Sequence, residues 1–288
     1  MSDRISVIIN TKDRREYLGI TLSSLLGQTF QNWDLTLLDA SSEPVINDER
    51  ISRLLTIFRK YGHQVLYETD RSLGIPHTYQ RGLEISRNNL LIRMEDDVWM
   101  EPEMIERAYE VINSNEKVGA VGFMTPNWQF HQRQPPPKIL RNGFVMRSSN
   151  LVPNLGLIHE PIDQQELVIS EDIIWDVCTI HAGSLFRRSA AERVGGFATH
   201  FSPTGHREET LFYCRLWFTG WELKVRSTSR LWHFESSIGG SRPEGAHSQN
   251  RQNNRRSDES KFQGELRALI ASYPDKVPLV FDEAATNF

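Results

Sequence analysis

The sequence has few cysteines, no long apolar run and little net charge. Two cysteines in 288 residues argue against a disulfide framework and are typical of buried side chains in a reducing compartment. No stretch approaches the roughly 18 apolar residues that cross a membrane. The net charge of −4, from 33 basic and 37 acidic residues, provides no overall field that would attract nucleic acid or an anionic membrane.

The N-terminus, Met-Ser-Asp-Arg-Ile, also lacks the basic and then apolar order of a signal peptide. We therefore expect a cytoplasmic protein with no transmembrane segment. Its content of 39% hydrophobic residues can supply the core of one large domain or of two small ones.

Apolar runs of strand length alternate with amphipathic stretches along the first 124 residues. This pattern is typical of β-α-β units and predicts an α/β fold with a mostly parallel sheet flanked by helices. Strands are expected at residues 5–9, 35–38, 65–67, 90–94 and 118–123. Between the first two, leucines on one helical face predict a helix that Asp13 and Glu16 cap and Gly27 ends. Further helices are expected at 51–58 and after Pro102.

The second part of the chain is less regular. Prolines among polar residues predict loops from residue 125 to about 170, followed by strands near 179–186, 223–225 and 230–233 and a helix near 208–218. Residues 236–258 are polar and predict a flexible arm before a final helix near 261–271. We therefore divide the chain into a domain of residues 1–235, with halves 1–124 for the nucleotide and 125–235 for acceptor and catalysis, and a C-terminal extension, 236–288.

Three carboxylates in succession, Glu95, Asp96 and Asp97, follow the strand predicted at 90–94. Ligands of open α/β sheets bind at the carboxyl ends of the strands, where such a cluster can hold a divalent cation against a diphosphate. Because adjacent acids repel one another, a positive partner is expected beside them. From this segment alone, a solvated acidic turn before the next helix fits equally well.

Several segments in order resemble family-2 glycosyltransferases of the GT-A fold. Residues 5–14 (ISVIINTKDR), 22–30 (LSSLLGQTF) and 37–42 (LLDASS) are similar to the family's Pro-Thr-Tyr-Asn-Arg, Ser-Leu-Leu-x-Gln-Thr and Val-Asp-Asp-Gly-Ser segments. Residues 95–97 resemble its Asp-x-Asp element, and 185–190 (LFRRSA), 194–197 (VGGF) and 207–215 (REETLFYCR) resemble its later motifs. The resemblance covers about residues 4–235. It implies a GT-A (Rossmann-like) fold and transfer of a sugar from a nucleotide sugar.

The resemblance also implies a role for each matching residue. Thr11, Asp39 and Asp96 would lie beside the nucleotide sugar, and Asp97, with Asp96, would bind Mn²⁺ or Mg²⁺. Glu209 would be the catalytic base that takes the proton of the acceptor hydroxyl in an inverting transfer. Acids at positions 208 and 209 also suit a helix N-terminus, where the helix dipole favours them.

His233 ends the strand predicted at 230–233, where several relatives place a metal-ligating histidine. A buried structural histidine fits that position equally well.

If neither Glu208 nor Glu209 is the base, Glu171 and Asp172 are the next candidates.

The sequence also departs from the family pattern. Lys12 stands where the family commonly has Tyr, and Ala40 stands where some members have an Asp that reads uracil. These changes leave the nucleotide base of the donor open, with a UDP sugar as the first expectation. Glu209 replaces the usual Asp and reaches one methylene farther.

Two other activities remain as alternatives. Nucleotidyl transfer also needs a nucleotide and a cation, but residues 10–14 contain no glycine for a phosphate-binding loop. A non-catalytic nucleotide-sugar binder is the second alternative.

The acceptor is open: a saccharide, a lipid-linked sugar, a protein, a small molecule or a modified nucleobase in DNA. The arm contains arginines that suit the phosphates of a nucleotide or of DNA, namely Arg242, Arg251, Arg255 and Arg256.

Overall fold

Strands and helices alternate along the first half of the chain. The structure, a computed structural model, describes residues 3–125, 172, 174–180, 183–234, 239–240 and 249–279. The first half contains β1 (Ile5–Thr11), α1 (Arg15–Leu26), β2 (Trp33–Asp39), α2 (Glu49–Lys60), β3 (Val65–Thr69), α3 (Ile75–Ile85), β4 (Leu90–Met94), β5 (Val98–Met100), α4 (Met104–Asn113) and β6 (Val118–Met124). The second half contains β7 (Ile174–Val177), β8 (Ser184–Arg187), α5 (Arg188–Arg193), α6 (Glu208–Phe218), β9 (Glu222–His233) and α7 (Gln249–Ser272).

The described strands form one nine-stranded sheet in the order β3-β2-β1-β4-β8-β6-β9-β5, with β7 paired to β9. Strands β1 to β4, β6 and β9 share one direction, whereas β5, β7 and β8 run against it. The predicted α/β fold with a mostly parallel sheet is therefore confirmed. Because β8 lies between β4 and β6, both predicted halves build the same sheet; the domain boundaries themselves stay a prediction.

Alternate residues of the central strand β1 enter two hydrophobic cores. Ile5, Val7 and Ile9 pack in a core with α1, α2 and α4, whereas Ile8 belongs to a core on the other face, with α3, α5, α6 and α7. Side chains of a strand alternate between the faces of its sheet, so a strand buried on both faces is apolar throughout. This double burial explains the continuous apolar run that marks β1 in the sequence.

The start of α1 differs from the prediction. The expected capping box does not form, because Asp13 has a φ of 56° and its carboxylate accepts hydrogen bonds from the backbone N–H and hydroxyl of Ser42. Arg14 precedes the helix without a side-chain cap, while Gly27 ends it as expected. Asp13 thus fixes the loop after β1 against the loop after β2.

Several other elements differ from the sequence prediction. Helices α3 and α5 and strands β5 and β7 were not expected, and residues 223–225 and 230–233 belong to one continuous strand, β9. The strand expected at 179–186 corresponds to β8, which begins at Ser184. The loops predicted between residues 126 and 170 lie outside the described residues.

The largest difference concerns the predicted arm. Helix α7 begins at Gln249, so the second part of residues 236–258 is helical. Its Asp258 is fully buried, and its Phe262 and Leu266 join the core with α6. Within the described residues, no helix combines the length and the apolar character needed to cross a membrane.

Candidate active site

A cavity of about 580 Å³ opens at the carboxyl ends of β1 and β4. These strands are parallel neighbours with Ile9 beside Met94, so the residues that follow them meet at one edge of the sheet. The cavity is lined by the loop after β1, residues 95–97, residues 71–75, the loop before α6 and the first turns of α7. Such an edge is the usual ligand site of an open α/β sheet.

Glu95, Asp97 and His233 form a cluster that can hold a metal ion. One ligand atom from each lies within 4.8 Å of the others. His233 Nε2 is 3.1 Å from both Glu95 Oε2 and Asp97 Oδ1, and the pairing of β5 with β9 sets His233 opposite Val98. The structure therefore brings Asp97 and His233 together, as the resemblance implies, and adds Glu95.

Asp96 points away from this cluster. Its carboxylate accepts hydrogen bonds from Thr11 Oγ1 (2.7 Å) and Arg14 Nη1 (3.1 Å). Burial raises the pKa of Asp96 to about 6, although Arg14 and Thr11 pull it down. Asp96 thus contacts Thr11 and Arg14, whereas Glu95 and Asp97 share the contact with His233. The metal role given to Asp96 stays a prediction that this geometry does not support.

Arg14 supplies the positive charge that the row of acids requires. Its Nη1 lies 3.1 Å from Asp96 Oδ1 and 3.1 Å from Asp97 Oδ2. The backbone N–H of Gly240, one of the described residues of the predicted arm, donates to Lys12 O (2.7 Å). The neighbouring Gly239 has a φ of 66°, and a Cβ there would come within 2.4 Å of Asp13 O. Glycine is thus required for the arm to lie against this loop.

Glu208 and Glu209 line the same cavity at the start of α6, and both contact Arg93 of β4. Arg93 Nη2 donates to Glu208 Oε1 (2.7 Å), and Nη1 lies 3.1 Å from Glu209 Oε2. The Glu208 side chain is 1% exposed and that of Glu209 22%. Burial raises the pKa of Glu208 to about 7, against the opposing charge of Arg93. Glu209 is therefore the more accessible carboxylate.

Arg93 was missed by the sequence analysis. It is 4% exposed, and its guanidinium carbon lies 4.1 Å from the centre of the Tyr79 ring. The available signal was a single charged residue within the apolar run Leu-Leu-Ile-Arg-Met. A buried arginine needs an acidic partner, so this position indicated a carboxylate elsewhere in the chain.

One other predicted residue, Asp39, lies outside the cavity. The Asp39 carboxylate is buried and accepts from Ser41 N (2.9 Å), Val45 N (2.7 Å) and the Tyr67 hydroxyl (2.7 Å), so it holds the loop after β2 together. It does not line the cavity, whereas Thr11 does. Its role beside the nucleotide stays a prediction.

Asp172, one of the two further candidates for the catalytic base, lies outside the cavity. The Asp172 carboxylate accepts two hydrogen bonds from Arg226 (2.8 and 2.5 Å), which lower its pKa to about 2. It is not among the residues that line the cavity. Glu171 lies outside the described residues.

The motifs and the fold agree with a known family. A family model described as Glycosyl transferase family 2 matches residues 6–195. The chain belongs to glycosyltransferase family 2. The match includes residues 95–97 and the motifs up to 194–195, and it confirms the resemblance for that part of the chain.

Relatives of this family-2 chain are similar over shorter segments. The glucosyl-dolichyl phosphate glucuronosyltransferase of Haloferax volcanii is 27% identical over 128 residues, which are 43% of this chain and 39% of that protein. The chain spans less than half the length of the curated relatives that it matches.

Solved structures share the fold. The mannosyltransferase PcManGT of Pyrobaculum calidifontis, in complex with GDP-Man and Mn²⁺, superposes with a TM-score of 0.60 at 15% identity, over 99% of this chain and 74% of that one. GalNAc-T7 with UDP, GalNAc and Mn²⁺ gives 0.58 at 13% identity, over 81% of this chain and 44% of that one. These likenesses confirm the GT-A fold of the family-2 chain.

Proposed function

We propose that this chain transfers a sugar from a nucleotide sugar to an acceptor hydroxyl, with a divalent cation and with inversion at the anomeric carbon. One observation carries the proposal. A single cavity joins a three-ligand cation cluster to a separate, partly exposed carboxylate, Glu209. Membership of glycosyltransferase family 2 supports the same reaction.

Glu95, Asp97 and His233 have the chemistry of a divalent-cation site. Two carboxylate oxygens suit hard cations, while the imidazole favours Mn²⁺ over Mg²⁺, which prefers oxygen ligands alone. Burial raises the pKa of Glu95, an effect opposed by His233 and increased by Asp97 and Glu209. A cation among these groups would relieve the repulsion between the two carboxylates. When bound, it supplies positive charge to the departing nucleoside diphosphate.

Glu209 has the exposure and the support that a general base needs. Arg93 Nη1 lies 3.1 Å from Glu209 Oε2, while the Glu209 side chain lines the cavity and is 22% exposed. In the proposed reaction the acceptor hydroxyl gives its proton to Glu209 while its oxygen attacks the anomeric carbon. The bond from that carbon to the diphosphate breaks, and its electron pair leaves with the nucleoside diphosphate.

The donor would lie against the loops after β1 and β2, where Thr11, Lys12 and Ala40 line the cavity. Similar structures hold GDP-Man or UDP, so the relatives offer more than one nucleotide base. A screen of UDP and GDP sugars with Mn²⁺, read as release of nucleoside diphosphate, would identify the donor. Release of pyrophosphate would instead indicate nucleotidyl transfer.

The matched variants Glu209→Gln and Glu208→Gln test the base. Glutamine keeps the size of the side chain but cannot accept the proton, so we expect Glu209→Gln to slow donor turnover by roughly two to four orders of magnitude. The affinity for nucleoside diphosphate with Mn²⁺ should change little, because a base acts mainly in the transition state. A greater loss in Glu208→Gln would move the role to Glu208, and full activity in both variants would remove it from this pair.

A further inference from the structure

We propose that the first turns of α7 form a phosphate-binding subsite of the cavity, separate from the cation cluster and centred on Arg251 and Arg255. Arg71, from the segment before α3, lines the same cavity. The proposal rests on the proposed function only for the source of the phosphate, which is either the donor diphosphate or a phosphate group of the acceptor. The subsite itself can be tested without sugar transfer.

One face of α7 forms this wall of the cavity. Asn250, Arg251, Asn254 and Arg255 all line the cavity, and residues three or four apart lie on one side of a helix. The same side continues through the buried residues Asp258, Phe262 and Leu266. The face of α7 that packs against the rest of the protein therefore carries apolar side chains at Phe262 and Leu266, and asparagine and arginine side chains where it lines the cavity.

The position of these turns is fixed by contacts one turn farther along α7. The buried carboxylate of Asp258 accepts from Ser202 N (2.7 Å), Ser202 Oγ (2.5 Å) and His206 N (3.1 Å). Glu259 Oε2 lies 3.3 Å from Arg207 Nε and 3.4 Å from His206 Nε2. The loop before α6 also lines the cavity, so its bonds to α7 set Arg255 beside the site.

Two arginines of the cavity that are less exposed, Arg14 and Arg93, already have carboxylate partners. Arg14 pairs with Asp96 and Asp97, and Arg93 pairs with Glu208 and Glu209.

Arg71 and Arg255 differ from these buried arginines. Both are exposed, and neither has a carboxylate oxygen within 4.0 Å in the part of the chain that the structure describes. Guanidinium groups of this kind, next to asparagine amides, match the donor requirements of phosphate oxygens.

Inorganic pyrophosphate in EDTA is a direct probe, because the chelator removes any contribution from the cation cluster. The double variant Arg251→Gln and Arg255→Gln should bind pyrophosphate at least tenfold more weakly than the unmodified chain by calorimetric titration. Arg256→Gln is the matched control, since Arg256 is exposed on the same helix but does not line the cavity. The single variant Arg255→Gln changes one exposed residue, so weaker pyrophosphate binding in this variant would not be explained by loss of folding. Equal pyrophosphate affinity in all these proteins would overturn the proposal.

Binding of UDP and of GDP with Mn²⁺ then identifies the source of the phosphate. A parallel loss of affinity in the double variant assigns the subsite to the donor diphosphate. Unchanged nucleotide affinity, together with lost pyrophosphate binding, assigns it to a phosphate on the acceptor. If the chain turned over no nucleotide sugar but the pyrophosphate result held, the proposed function would fail and the subsite would stand.

Discussion

Arg93 is the residue that links the two parts of the proposed chemistry. It lies in β4, two residues before Glu95 of the proposed cation site, and its guanidinium contacts both glutamates at the start of α6. Tyr79 packs against the guanidinium face. The buried guanidinium contacts two carboxylates and so sets their positions, because each carboxylate would otherwise be a charge without compensation.

Substitution of Arg93 separates positioning from stability. Arg93→Lys keeps the charge but loses the planar fork, so we expect donor turnover to fall about tenfold or more while nucleotide affinity is retained. Arg93→Met leaves the two carboxylates uncompensated and should lower the free energy of unfolding by roughly 3–5 kcal/mol. Denaturant unfolding and steady-state kinetics measure these two effects. Wild-type turnover in Arg93→Lys, with the same donor KM, would contradict the positioning role.

The individual site residues were predictable to different degrees. Asp97 and His233 follow from the resemblance, and the structure brings them together. Glu95 was not assigned to the cation, although it lies only two residues before Asp97 in the same row of acids. Arg14 and Arg93 were not assigned at all, because their partners lie far away in the sequence and a single sequence does not pair charges.

Helix α7 braces the loop that leads to the proposed base. Asp258 binds that loop through two backbone N–H groups and one hydroxyl, and Arg215 and Glu265 pair across α6 and α7 (3.0 Å). The carboxylate of a fully buried side chain thus links the C-terminal helix to the loop before α6. Substitution of Asp258 should therefore lower the free energy of unfolding and also change the geometry of the site.

The variant Asp258→Asn tests this brace. It replaces one acceptor oxygen by an NH₂ group that faces other donors, so we expect the free energy of unfolding to fall by about 1–3 kcal/mol. Donor turnover should fall as well, since the loop leads directly into Glu208 and Glu209 at the start of α6. Asp275→Asn, at an exposed position after α7, is the control and should stay within about 0.5 kcal/mol of the unmodified chain. Identical denaturation midpoints for the two variants would exclude the brace.

Elements with a strong apolar pattern were the ones that the sequence predicted. Strands β1, β2, β4 and β6 are almost entirely buried, so their runs stand out. Helix α7 begins far earlier than its apolar residues indicate, because its first turns are held by the bonds of Asp258 and not by an apolar face. Tertiary contacts of this kind leave no periodic pattern of apolar residues in the sequence.

At the scale of the whole molecule, the sheet assembles the site from distant segments. The acids follow β4, His233 ends β9, and the glutamates begin α6. Strand β8 of the second half pairs with both β4 and β6, so the second half completes the sheet that the first half begins. Only the topology brings these segments to one edge, which is why spacing in the sequence alone left the metal and base roles open.

Binding of nucleoside diphosphate, with and without cation, tests the central claim most directly. In calorimetric titrations of UDP and GDP, we expect at least one nucleotide to bind in Mn²⁺, to lose its binding in EDTA and to regain it when Mn²⁺ is restored. Asp97→Asn should weaken both Mn²⁺ and nucleotide at least tenfold, whereas Asp275→Asn, at an exposed position outside the cavity, should change neither. Equal nucleotide affinity in Mn²⁺ and EDTA, and in Asp97→Asn, would contradict the account.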